Sequence, residues 1–136
     1  MFAASQAEAI LGTQQPRGRA AAQHRQAVAL VGALRQRYAA DATTYKARRD
    51  ALDVAYATTM GNVSRAFPAN HHIATFFADA LMNTMPWDYY EEGRAALGRT
   101  LKPAAAEARR VLERVLAAEP NHEGAIHLYV QTLPRH

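Results

Sequence analysis

The chain has 136 residues, no Cys, six His and a formal net charge of +4. That length suits one domain, and the lack of Cys excludes disulfides, thiolate zinc sites and a cysteine nucleophile. The charge is uneven, since residues 1–50 carry eight Lys/Arg against three Asp/Glu and residues 51–136 carry eight against nine. A basic half suits an acidic partner. Yet Arg17, Arg19, Arg25, Arg35, Arg37, Arg48 and Arg49 form no tight run and interleave with no aromatic ladder. They read as a solvated helix face, and nucleic acid is not the expected partner. No apolar run approaches the roughly 18 residues of a membrane span. The opening MFAASQAEAILG has neither the basic nor the continuous apolar region of a signal peptide. A soluble, cytoplasmic protein is the default expectation.

Apolar residues recur at spacings of three and four, which predicts an all-α chain. A weak first helix over residues 3–12 closes at Gly12, so residues 1–18 are expected to be peripheral. The next helix is predicted over 19–40, with Ala27, Val31, Leu34 and Tyr38 on one stripe. After a break at DATT, another is predicted over 46–66, burying Leu52, Tyr56, Met60 and Val63 before Pro68 stops it. Asn70 is a suitable N-cap for a helix over 71–84, whose buried stripe is Ile73, Phe77, Ala80, Leu81 and Thr84. Residues 85–102 break the pattern with Pro86, Gly93 and Gly98, and they hold the single Trp. Pro103 then opens a helix carrying Ala108, Val111, Leu112 and Val115, which ends at Pro120. Asn121 is expected to cap a last helix, with Ile126, Tyr129, Val130 and Leu133 on its apolar side. The expectation is six helices in antiparallel succession.

Two helix–proline–helix stretches match. Tyr56, Met60, Val63 and Pro68 are spaced as Ala108, Leu112, Val115 and Pro120 are, and RAFPANHHIATFFADAL parallels LAAEPNHEGAIHLYVQTL. With VLERVLAAEPNHEGAIHLYV as its most typical stretch, the chain resembles the tetratricopeptide repeat (TPR) family. The two prolines are 52 residues apart, about 18 more than the 34-residue TPR period. Residues 85–102 therefore read as an insertion between the two helices of one repeat. The run ADALMNTMPWDYYEEG is similar to a largely uncharacterised group of bacterial TPR proteins that carry a Pro-Trp-Asp-Tyr-aromatic loop at this place. In that group the last helix commonly reads His-Leu-Tyr-Ile-His, whereas here Gln131 replaces the second His.

The resemblance implies a TPR-like antiparallel helix-pair solenoid forming a single domain over residues 1–136. It also implies a protein–protein interaction or assembly module, acting as a scaffold or accessory subunit. It assigns a partner or ligand groove to Thr75, Asp79, Met82, Asn83, His127 and Gln131. The alternative is a small-ligand or metal-binding accessory subunit of an enzyme complex, with His122 and His127 as metal ligands beside Glu123 or Asp79. No cofactor is expected. Five residues separate His122 from His127, a poor helical chelate, while adjacent His71 and His72 should diverge. No phosphate loop, nucleophile elbow or HExxH motif is present, so no catalytic residue is assigned. Trp87, Tyr89 and Tyr90 read either as an exposed aromatic platform or as a plug over the apolar helix ends, with Asp88 capping a local turn. Both ends of the array lack the polar capping helix that solenoids need. Tyr129 and Leu133 are thus expected to contact a protein partner or a second copy.

Overall fold

The computed structural model describes residues 17–92 and 99–134, which form six α-helices and no strand. The all-α expectation holds. The helix expected over 3–12, and the breakers Gly93 and Gly98, lie outside the described residues. The chain divides into two compact units, Met1–Phe67 and Pro68–His136. The boundary falls where Pro68, lacking an N–H, follows the last helical turn of the first unit.

The first unit contains α1 (Arg19–Arg37), a short α2 (Ala42–Ala47) and α3 (Arg49–Ala66). α1 ends earlier than its spacing predicts, at an extended Tyr38. Tyr38 thus leaves the expected buried stripe and stacks on Tyr45, with ring centroids 6.0 Å apart. The DATT segment starts a helix instead of only breaking one. Asp41 accepts from the Thr44 backbone N at 2.8 Å and from Thr44 Oγ1 at 2.7 Å. Those bonds, the backbone one first, hold the Asp41 carboxyl below the usual carboxylate range.

On α3 the residues Leu52, Tyr56, Met60 and Val63 are buried, as the spacing predicts. α1 packs along α3. The buried Asp53 ties them, accepting from Arg49 Nε at 2.7 Å and facing Arg37 Nε at 3.6 Å. The Arg37 guanidinium also lies over the Tyr56 ring, 5.3 Å from its centroid. The end of α1 therefore sits beside the start of α3, and the two helices run antiparallel. Arg37 is thus half-buried and structural, whereas Arg49 pairs with Asp53 from an exposed position.

The second unit contains α4 (His71–Asn83), α5 (Pro103–Ala118) and α6 (Glu123–Gln131). Asn70 caps α4 as expected, its Oδ1 accepting from Ile73 N at 3.0 Å. Pro103 occupies the first turn of α5. The cap of α6 is His122, one residue past the expected Asn121, with Nδ1 accepting from Ala125 N at 3.2 Å. Ala74, Ala78 and Ala80 on α4, Ala105 and Ala108 on α5, and Ala125 on α6 are all buried. Small side chains there let the helices approach closely, and Ile73, Phe77, Leu81, Val111, Leu112 and Val115 fill the remaining core. Each such large apolar side chain contributes about 1.5–3 kcal/mol on burial. Thr84, expected on the stripe, is only partly buried and sits at the C-cap of α4.

Two contacts fix the helix directions. His71 Nδ1 donates to Glu119 Oε1 at 2.6 Å, placing the start of α4 beside the end of α5. His72 Nδ1 lies 3.1 Å from His122 Nε2, placing the start of α6 beside the start of α4. So α4 and α6 run the same way, with α5 opposed to both. On α6 only Ala125 is fully buried. The apolar side expected of this helix is open, since Ile126, Val130 and Leu133 face solvent and Tyr129 is half-buried.

Candidate functional site

The described residues between α4 and α5 bond among themselves at both ends of the connection. Asp88 N donates to Met85 O at 3.0 Å, closing a turn after α4. Glu91 N donates to Thr100 O and Lys102 N to Tyr89 O, each at 2.9 Å, around an isolated antiparallel bridge between Tyr90 and Leu101. The Asp88 side chain does not cap the turn. It accepts from Lys102 Nζ at 2.5 Å, a bond that raises the Lys102 pKa.

The three loop aromatics separate. Tyr89 is buried, as a plug requires. Tyr90 donates from its hydroxyl to Thr132 O at 2.6 Å and accepts from Arg109 Nη2 at 2.9 Å. Arg109 also donates to Thr132 Oγ1 at 3.1 Å and to the Thr132 carbonyl. This node joins the loop, α5 and the end of α6. Trp87 takes no part in the plug. It is 65% exposed, and its φ is 65°, a left-handed conformation that costs a non-glycine residue about 1–2 kcal/mol. A bulky side chain kept exposed at a strained position is a pointer to surface function.

Between α4 and α6 the second unit is open. One cavity of about 450 Å³ lies at the helix starts, between His72, Thr75 and Phe76 on one side and His122, Glu123 and Gly124 on the other. Glu119 and Asn121 complete its wall. A second cavity, of about 420 Å³, shares Thr75, Phe76, Glu123 and Gly124, then continues to Asp79, His127 and Leu128. Shared walls make the two one trough along the α4–α6 seam. Phe76 is 48% exposed on its surface. Gly124 leaves the floor open, since a Cβ there would sit 3.5 Å from Thr75 Cγ2 and 3.6 Å from His122 Cε1.

Thr75, Asp79 and His127 of the expected groove therefore line one cavity, the first two from α4 and His127 from α6. The other three do not. Met82 is 3% exposed and belongs to the core, a correction to its assignment. Asn83 donates to Asp79 Oδ2 at 3.0 Å, and Gln131 Nε2 donates to His127 Nε2 at 2.8 Å, so both orient groove residues from behind. Thr75 donates its hydroxyl to His71 O at 2.8 Å, leaving its methyl toward Gly124.

The histidines are organised by tautomer. His122 Nδ1 accepts from Ala125 N, so the neutral ring carries its proton on Nε2 and donates to His72 Nδ1. Both ring nitrogens of His122 are thereby engaged, and His127 Nε2 faces Gln131. Among the described residues no group of three or more His, Cys, Asp or Glu is arranged to hold a metal. Glu119 is held below the usual carboxylate range, first by the His71 hydrogen bond. The trough thus has an apolar floor, hydrogen-bonding walls and an ionised rim. Neither the His72–His122 pair nor the Tyr90–Arg109–Thr132 node had a sequence signal, because 50 and 42 residues separate their ends.

No protein-family model matches the chain, and comparisons with curated proteins and with solved structures find no significant match.

Proposed function

We propose that this chain is a TPR-like helical-repeat module that binds a protein segment along the trough between α4 and α6. The observation that carries this reading is the order of directions in the second unit: α4 and α6 parallel, α5 opposed and packed against them. In a helix-pair solenoid that order puts the first helices of successive repeats side by side on one surface. Here it brings Thr75, Asp79 and His127 around one cavity with the half-exposed Phe76. Hydrogen-bonding groups around an apolar anchor suit an extended or helical peptide. The groups are held by Asn83, Gln131 and backbone, in bonding suited to recognition. Ile126, Val130 and Leu133 on α6 add an apolar stripe suited to further contact with a partner or a second copy.

A photo-crosslinking amino acid at His127, in the intact chain exposed to extract of its native source, tests the proposal. The expected result is a discrete protein adduct, lost on Phe76→Asp and absent when the crosslinker replaces Val54 on α3. Equal labelling from both positions would refute it.

A further inference from the structure

We infer that the trough selects a basic segment of another protein, one in which Lys or Arg side chains flank a single apolar anchor. This rests on the groove reading above and adds the chemistry of the occupant. The two cavities are lined by three carboxylates, Asp79, Glu119 and Glu123, and by no Lys or Arg. Glu119 is fixed in place by His71 at 2.6 Å. The remaining polar wall consists of Thr75, Asn121, His72, His122 and His127, of which His72 and His122 are turned toward each other. Phe76, Leu128 and Gly124 supply an apolar floor between the acidic positions.

An incoming apolar side chain would lie against Phe76 and over Gly124, where no Cβ blocks it. Glu123 borders both cavities, with Glu119 in one and Asp79 in the other. Cations on either side of the anchor would therefore each meet a carboxylate, while an acidic segment would meet like charge on both sides. The wider field favours the same partner only weakly, because residues 68–136 carry seven Lys/Arg against eight Asp/Glu. Selectivity is local to the trough.

The test pans a phage-displayed library of short random peptides against the intact chain, then measures binding of the enriched peptides as free synthetic ligands. The enriched set should carry Lys or Arg on both sides of Leu, Phe, Ile or Met. Affinity should fall about tenfold in the double variant Glu119→Gln, Glu123→Gln, the sum of two rim ion pairs, and should weaken with added salt. Those isosteric changes spare the core, and an unchanged circular dichroism spectrum at the assay temperature verifies the fold. Enrichment of acidic peptides that still require Phe76 overturns the basic class and leaves the groove standing. Basic peptides indifferent to both the double variant and Phe76→Ser overturn the location. Salt-dependent dimerisation abolished by the same variants would make the occupant a second copy and overturn the foreign partner. Absence of any enriched peptide overturns the groove reading as well.

Discussion

Replacing Tyr90 by Phe removes one oxygen atom from the node that ties the insertion loop to the helices. Two hydrogen bonds go with it: the donation to Thr132 O at 2.6 Å and the acceptance from Arg109 Nη2 at 2.9 Å. Taken alone, a neutral bond contributes about 0.5–1.5 kcal/mol and one to a charged group about 1.5–3 kcal/mol. The loss should be smaller than that sum, because no partner is orphaned. Thr132 O still accepts from Arg109, and Arg109 still reaches Thr132 Oγ1 at 3.1 Å. We expect Tyr90→Phe to destabilise the chain by about 1–2 kcal/mol and Arg109→Met by about 1.5–3 kcal/mol. The double variant should lose less than the two combined, by about 0.5–1 kcal/mol, as for groups sharing one network. Urea unfolding followed by circular dichroism measures all three. A Tyr90→Phe protein within about 0.3 kcal/mol of the parent, with additive effects in the cycle, would show that the loop does not brace α6 through this node.

Four further outcomes follow from the same geometry. The Glu119 pKa is depressed by His71, so its contribution to stability is present above the ordinary glutamate range, about pH 4.3, and is lost as pH falls through that range and below. Glu119→Gln should flatten the acid limb of a urea-midpoint against pH curve, and parallel curves for variant and parent would count against the pairing. Gly124→Ala meets only ordinary contacts at 3.5–3.8 Å and needs no positive φ; a gain of about 0.4–1 kcal/mol, with weaker peptide binding, is expected from melts and titrations. Trp87→Gly should relieve left-handed strain of about 1–2 kcal/mol, and the parent's Trp emission should be red and readily quenched by iodide, whereas a blue, protected Trp87 would restore the plug. Val130→Glu with Leu133→Glu should raise solubility and abolish any self-association seen by light scattering, without lowering the melting temperature; an oligomer that survives both changes must use another surface.

What the sequence disclosed was the part carried by neighbours within a few residues. Asn70 was legible as a cap because a short polar side chain just after a Pro-stopped helix satisfies the free N–H groups of the next one. The same logic slipped by one residue at α6, where the His122 ring reaches Ala125 N and Asn121 does not cap. The imidazole nitrogen stands in for the usual capping oxygen, and propensity gives His no such weight. DATT was read as a break because its Asp and Thr residues disfavour helix interiors, yet Asp41 bonding Thr44 is the chemistry that begins a helix.

The groove shows where a one-helix argument fails. Thr75, Asp79 and Met82 are spaced four and three apart, so periodicity puts them on one face of α4. But α4 packs against both α5 and α6, and a helix held between two neighbours buries a far wider arc than one stripe. Eight of its thirteen residues are buried, so the open arc is narrow and ends before Met82. From α4, Thr75, Phe76 and Asp79 line the trough beyond the helix starts, with the far wall supplied by Glu123, Gly124, His127 and Leu128. Phe76 was missed for the converse reason. It is apolar and next to Phe77, and pattern alone gives no ground for leaving one of two adjacent phenylalanines in solvent. Its exposure goes with the partial packing of α6, where α4 and α6 approach at His72–His122 and at Thr75–Gly124 and Ala125 is the single fully buried residue of α6. A partly covered helix beside an uncovered aromatic ring is the surface on which the proposed basic segment would seat, with Asp79, Glu119 and Glu123 as its counter-charges.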